Sequence, residues 1–164
     1  MTVQIVSDDA GFAETIGGLI RAWGREVRLA GHLDPPAGEV EIVLLDIRQG
    51  AEQALSSLAF IRARQPETEV ILINRPDNIG PSIAGMQAGA ADELIVPFDT
   101  GSLKGKIAEA DRRRKKSRDK RSFLRRFGDA MAAATFAQAG EFDTAMDLLE
   151  RPDEAKGRES KKEG

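Results

Sequence analysis

The chain contains no cysteine, which excludes a disulfide scaffold, a thiolate metal site and a cysteine nucleophile together. It has one histidine, His32, so a site built on several imidazoles is excluded as well. No apolar run approaches the roughly 18 residues a membrane span needs. No signal-peptide pattern opens the sequence. The expectation is a soluble cytoplasmic protein with no membrane partner. Its 164 residues give room for one ordinary domain and a modest extension, enough to bury a core without a disulfide or metal staple.

What is present is unevenly spread. The formal net charge is only −3, yet Arg112 to Lys116, Arg118, Lys120, Arg121, Arg125 and Arg126 hold ten of the 24 basic residues. The remainder is therefore distinctly acidic. Clustered Lys and Arg suit a phosphate backbone. Here no aromatic is interleaved between Arg112 and Ser122 and no recognition-helix pattern follows, which argues against nucleic acid. The stretch reads as a solvated extension of a helix, with contact to an acidic protein surface as the alternative.

The first hundred residues alternate short apolar runs with helical patterns. Val3 to Val6 reads as a strand. Phe12, Ile16, Leu19, Ile20 and Trp23 then fall on one face of an amphipathic helix. Glu26 to Leu29 is a weak second strand, and a Pro35-Pro36 loop leads to a third, Val40 to Leu45, apolar as a strand covered on both faces should be. Leu55, Leu58 and Ile61 mark a helix ending near Pro66, and Val70 to Ile73 is the fourth strand. Ile79, Ile83 and Met86 mark a short helix closed by Gly89. Leu94 to Val96 is the fifth strand, and Leu103, Ile107 and Ala110 begin a last helix. The pattern predicts an α/β, flavodoxin-like three-layer fold with a five-stranded parallel sheet in the order 2-1-3-4-5. Only a Pro-rich loop lies between strands two and three, so the helix of that crossover is expected to be short or absent.

In such a sheet ligands sit outside the carboxyl ends of the strands, at the switch point between strands one and three. Asp8 and Asp9 follow strand one and Asp46 ends strand three, so carboxylates distant in sequence converge. Unpaired, they would repel and raise one another's pKa. Magnesium, which takes one or two carboxylates with a carbonyl and waters, would resolve this.

These strand ends, with Asn74 after strand four and the run Gly89-Ala90-Ala91-Asp92-Glu93-Leu94-Ile95-Val96-Pro97-Phe98, resemble a response-regulator receiver domain over about residues 1–121. The resemblance implies roles. Ser7 and Asp8 fall on the family's acidic pair, with Asp9 an acidic neighbour. Asp46 falls on the phosphoacceptor, and Arg48 on the residue whose backbone carbonyl completes a metal site with Asp8 and Asp46. Asn74, Glu93 and Val96 fall on the hydroxyl, aromatic and lysine positions of the switch. Pro97 is expected to follow a cis peptide bond.

The departures have consequences. Transfer of a phosphoryl group to a carboxylate relies on positioning and on neutralising the phosphoryl oxygens. Val96 supplies neither charge nor hydrogen bond, so a charge-assisted bond of about 1.5–3 kcal/mol is missing. Ser7 removes one negative charge as Val96 removes one positive. Arg48 and Arg75 are, by position, candidate substitute cations. A charged Glu93 is expected to prefer water to an inward pocket, leaving the output face fixed.

The family reading is thus an atypical receiver protein of two-component phosphorelay signalling that acts through protein contacts, without enzymatic or DNA-binding output. The rival is a magnesium-dependent switch phosphorylated on Asp46 by a histidine kinase. A rival of another class is a flavodoxin-like small-ligand module. No glycine-rich phosphate loop follows strand one, and Ser7-Asp8-Asp9 there would repel phosphate.

Further on, Phe136 to Ala145 resembles the turn of a tetratricopeptide repeat, with Phe136, Phe142, Ala145, Leu148 and Leu149 in its packing roles. One such unit cannot bury its own apolar face, so a hairpin over 122–150 must cover it against the receiver, a second subunit or a partner. This hairpin, and the face of the helix over 79–86, the fifth strand and the last helix, are the surfaces expected to take a protein partner, with a homodimer as the alternative occupant. Residues 151–164 offer nothing to bury and are expected to be disordered.

Overall fold

The computed structural model describes residues 1–34 and 38–136, with 134–136 by backbone alone. Of the residues expected to build the hairpin, the Phe136 side chain, Phe142, Ala145, Leu148 and Leu149 lie outside the described residues, as does the tail over 151–164.

The elements follow the predicted alternation: β1 (Thr2–Val6), α1 (Ala10–Ala22), β2 (Glu26–Ala30), β3 (Ile42–Asp46), α2 (Ala51–Arg64), β4 (Glu69–Asn74), α3 (Ile79–Gln87), β5 (Asp92–Ile95) and α4 (Thr100–Phe136). All strand pairs are parallel, in the order β2-β1-β3-β4-β5. Among the described residues no helix joins β2 to β3. The basic stretch is helical throughout, part of α4.

The chain divides at Lys116: the first compact unit is Met1–Lys116, and the second begins at Ser117. In the first unit the core lies on both faces of the sheet. On one face Val3, Ile5, Ile42, Leu44, Ile71 and Ile73 pack with Ile16 and Ile20 of α1 and Leu103 and Ile107 of α4. On the other, Val6, Val43, Leu45, Val70 and Leu72 pack with Ala54, Leu58 and Ile61 of α2. Burial on both sides explains why β3 and β4 are almost uninterrupted apolar runs. Gly85 lets α3 approach β4 closely, because a Cβ there would stand 2.5 Å from Leu72 Cδ1. The peptide bond Val96–Pro97 is cis, as expected.

The register places the functional strand ends. Val6 sits opposite Ala30 on one side and Leu45 on the other. The loops after β1, β2 and β3 therefore emerge side by side. In the second unit, the part of α4 from Ser117 onward exposes Phe123, Leu124 and Phe127. The two phenyl rings stack with centroids 6.4 Å apart.

Candidate functional site

Asp46, the last residue of β3, is only 4% exposed. A carboxylate so buried requires hydrogen bonds, and it has four. Oδ1 accepts from the Arg48 backbone N–H at 3.0 Å and from Arg48 Nε at 2.9 Å. Oδ2 accepts from Ser7 Oγ at 2.7 Å and from Arg48 Nη2 at 2.8 Å. The guanidinium thus grips the carboxylate in the two-toothed fashion that makes Arg–carboxylate pairs strong. Burial pushes the Asp46 carboxyl up, but the bonds from Arg48 and Ser7 and the arginine's charge outweigh it and hold the group below the usual carboxylate range. The same bond to Asp46 pushes the Arg48 guanidinium up.

Arg48 is itself held from other sides. Its Cζ lies 3.7 Å from the centroid of the Phe12 ring, a cation–π contact worth about 0.5–2 kcal/mol. Its Nη2 also reaches Asp9 Oδ2 at 3.3 Å. Asp9 is the N-cap of α1, accepting the Phe12 N–H through Oδ1 at 3.0 Å, so this neighbour supports a helix end. Arg75, the other candidate cation, pairs instead with Asp77 at 3.5 Å.

Asp8 faces the other way, onto His32. It accepts the His32 backbone N–H at 3.1 Å, and its Oδ2 lies 2.8 Å from Nδ1. The His32 Nε2 lies 2.6 Å from the backbone carbonyl of Asp46. Both ring nitrogens therefore face acceptors, and both donate only in the imidazolium form. The bonds from His32 hold the Asp8 carboxyl below its usual range. Ser57 Oγ of α2 donates to the His32 carbonyl at 2.6 Å. His32 thus ties the loop after β1, the end of β3 and helix α2 together.

Asp8, Asp9, His32, Asp46, Arg48 and Gln49 line one pocket of about 280 Å³. Its donor set does not fit a magnesium ion as it stands. The four bonds on Asp46 use the roughly four acceptor positions a carboxylate has, so this carboxylate has none left for a metal ion, while Asp8 spends one position of each oxygen on His32 and is otherwise exposed. Among the described residues no three His, Asp or Glu side chains are placed to hold a metal ion.

The switch positions form a separate cluster. Asn74, 1% exposed, donates from Nδ2 to Glu93 Oε1 at 2.8 Å and to the Asn78 carbonyl at 3.1 Å. Its Oδ1 accepts from Asn78 Nδ2 at 2.7 Å, and that amide also reaches the Ile47 carbonyl at 2.9 Å. Glu93 therefore does not turn out to water as expected. It is half-buried, because the Asn74 amide gives its carboxylate a donor. Val96 packs against the apolar cluster under α1 and α4.

Sequence reasoning placed Asp8, Asp9, Asp46 and Arg48 at one sheet edge and assigned Arg48 a backbone role first. It missed His32. The signal was there: His32 stands two residues beyond β2, and β2 borders β1, so the histidine falls beside Asp8.

No protein-family model matches the chain. Over 113 residues, 66% of the chain, it is 26% identical to the transcriptional regulatory protein ZraR of Escherichia coli, covering 26% of that protein. Over 112 residues, 65% of the chain, it is 30% identical to the transcriptional regulatory protein DltR of Streptococcus agalactiae, covering 50% of it. The chain thus spans between about a quarter and a half of these relatives' length. Among solved structures, the receiver domain of NtrX from Brucella abortus is similar with a TM-score of 0.57 at 26% identity, over 66% of this chain and 96% of that one. A CheY-like response regulator receiver domain protein from Methanospirillum hungatei gives a TM-score of 0.63 at 19% identity, over 71% and 97% of the two chains. The latter likeness is one of fold.

Proposed function

We propose, from the premise that Met1–Lys116 is a response-regulator receiver domain of the two-component type, that this protein is an atypical receiver whose phosphoacceptor position is closed by its own arginine and which acts through protein contacts. The carrying observation is the saturation of Asp46 by Ser7 and Arg48. A carboxylate attacks phosphorus through a free lone pair, and each one here is spent on a hydrogen bond. Arg48 supplies the positive charge that a metal ion and a lysine supply in the family, and delivers it to the acceptor itself. Asn74 is engaged with Glu93 and Asn78, and Val96 lies among apolar side chains. In this reading Asp8, Asp46 and the Arg48 carbonyl hold no resident magnesium.

Protein contacts are supported by the surface. Helix α3 exposes Ile79, Ile83 and Met86 along one face, and Ile95 of β5 is also exposed. A protein partner or a second copy is the occupant this reading assigns to that face. The hairpin over 122–150 and the cytoplasmic location belong to the same proposal. Among the described residues no helix is long and apolar enough to cross a membrane.

The test is intact mass after incubation with magnesium and acetyl phosphate, beside Asp46→Asn and an ordinary receiver. No added phosphoryl mass is expected on this protein under conditions that modify the control. Added mass on the wild type and not on Asp46→Asn would overturn the reading and restore a magnesium-dependent switch served by a histidine kinase.

A further inference from the structure

Helix α4 changes character along its length. As far as Lys115 its cations are spent on carboxylates: Lys106 on Asp92 at 2.7 Å, Arg113 on Glu69 at 2.9 Å, Arg114 on Glu41 at 4.0 Å and Lys115 on Asp111 at 2.7 Å. Beyond that, in the second unit, every residue over 117–129 is exposed. Over 117–133 five basic residues stand against two acidic ones. Among the described residues, Arg118, Lys120, Arg125 and Arg126 pair with no carboxylate.

The apolar residues of this stretch share one face. Lys120, Phe123, Leu124 and Phe127 follow at i, i+3, i+4 and i+7. Phe123, Leu124 and Phe127 are 66%, 54% and 55% exposed, although an apolar helix face is ordinarily what packing covers. Arg126 borders this face beside Phe123, while Arg118 and Arg125 turn to the opposite side of the helix. Aromatic and aliphatic residues on one face with Lys and Arg around the rest is the composition of a helix that lies in a lipid interface. A nucleic acid would use the cations and leave Phe123, Leu124 and Phe127 in water. A second copy would cover the apolar face and bring like charges together. A protein groove would reach one face and leave Arg118 and Arg125 unused. The field of an anionic bilayer extends about 8 Å at physiological salt, comparable to the helix diameter of about 10 Å, so it acts on cations all round.

We propose that residues 117–129 of α4 dock on an anionic phospholipid surface. The helix lies in the plane of the bilayer, with Phe123, Leu124 and Phe127 below the headgroups and the cations among the lipid phosphates. Such a helix rests on the membrane without crossing it. The proposal does not depend on the phosphorylation state of Asp46.

The experiment is co-sedimentation of the full chain with vesicles of phosphatidylcholine alone and of phosphatidylcholine with about a third phosphatidylglycerol. Binding is expected to the second and not to the first, with release as salt rises from about 0.1 M to about 1 M. Arg125→Gln with Arg126→Gln should weaken it about 25-fold, about fivefold for each charge. Phe123→Ala with Phe127→Ala keeps every charge and puts the best helix former at both positions, and should weaken it at least about tenfold. All four side chains are exposed, so the far-UV circular dichroism of both variants should match that of the wild type. The proposal is overturned if the wild type stays in solution with both vesicles, which would mean that something other than lipid covers the helix. It is overturned if the phenylalanine variant binds as the wild type does, since the attraction is then one that any polyanion exerts. It is overturned also if duplex DNA displaces the protein from the vesicles, which would make nucleic acid the occupant.

Discussion

Truncating Arg48 to alanine removes the side chain on which the carboxylate site rests. It takes away two charge-assisted bonds to Asp46, one bond to Asp9 and the contact with the Phe12 ring. The Ser7 hydroxyl and the Arg48 backbone N–H remain on Asp46. Breaking a buried pair by removing one partner costs about 3–5 kcal/mol. The Arg48 side chain is 17% exposed and the pocket opens to water, which places this case at the low end. The expected loss is about 3 kcal/mol at pH 7, read from urea unfolding with an unchanged slope. A double-mutant cycle with Asp46→Asn isolates the pair and should return a coupling of about 2 kcal/mol. The variant also frees acceptor positions on Asp46. Magnesium should therefore raise the urea midpoint of Arg48→Ala and leave the wild type unmoved. A coupling below about 0.5 kcal/mol, or a wild type stabilised by magnesium as much as the variant, would refute the account of Arg48 as the occupant of the metal position.

The depressed Asp46 carboxyl fixes a pH dependence: its contribution is complete above the ordinary value of 3.8 and is lost as pH falls through the lower folded value. Urea midpoints measured from pH 7 downward should fall in that acid window for the wild type and more shallowly for Asp46→Asn. His32→Ala leaves the Asp46 carbonyl and Asp8 Oδ2 without their ring partners and opens a gap between the loop after β1 and the end of β3, while the Ser57 bond to the residue-32 carbonyl is kept. A loss of about 2–4 kcal/mol is expected, with enhanced hydrogen exchange confined to the loops after β1 and β2. Asn74→Thr, which restores a hydroxyl, should destabilise the fold by about 1–2 kcal/mol, because Glu93 and Asn78 lose their amide partner. Adding Glu93→Gln should recover part of that loss in thermal melts.

The fold was legible because hydrophobic period and strand-end polarity are local properties. Val43-Leu44-Leu45-Asp46 reads as a buried strand with a carboxylate at its end from composition alone, and neighbouring strand ends follow from the parallel order. The pairing of the carboxylates was not legible. Whether Asp8 turns to a metal or to His32 depends on the β2–β3 connection, whose course no periodicity encodes. The Arg48 side chain likewise had two destinations, water or Asp46, and the Phe12 ring and the Asp9 cap weight the second. Glu93 was misjudged for the same reason: its charge is visible in the sequence, while the Asn74 amide that receives it is a matter of geometry across two strands.

If the four bonds on Asp46 close the acceptor as proposed, the kind of signal this protein carries changes. A receiver with two charge states reports the activity of whatever enzyme modifies it, so its copy number sets only the ceiling of the signal. A receiver whose acceptor is permanently satisfied has a single state, and nothing upstream can write to it at that position. What it conveys is then its own abundance: output tracks how much of it is synthesised and how quickly it is degraded. On the proposed reading, control passes from a phosphoryl donor to the ribosome and the protease.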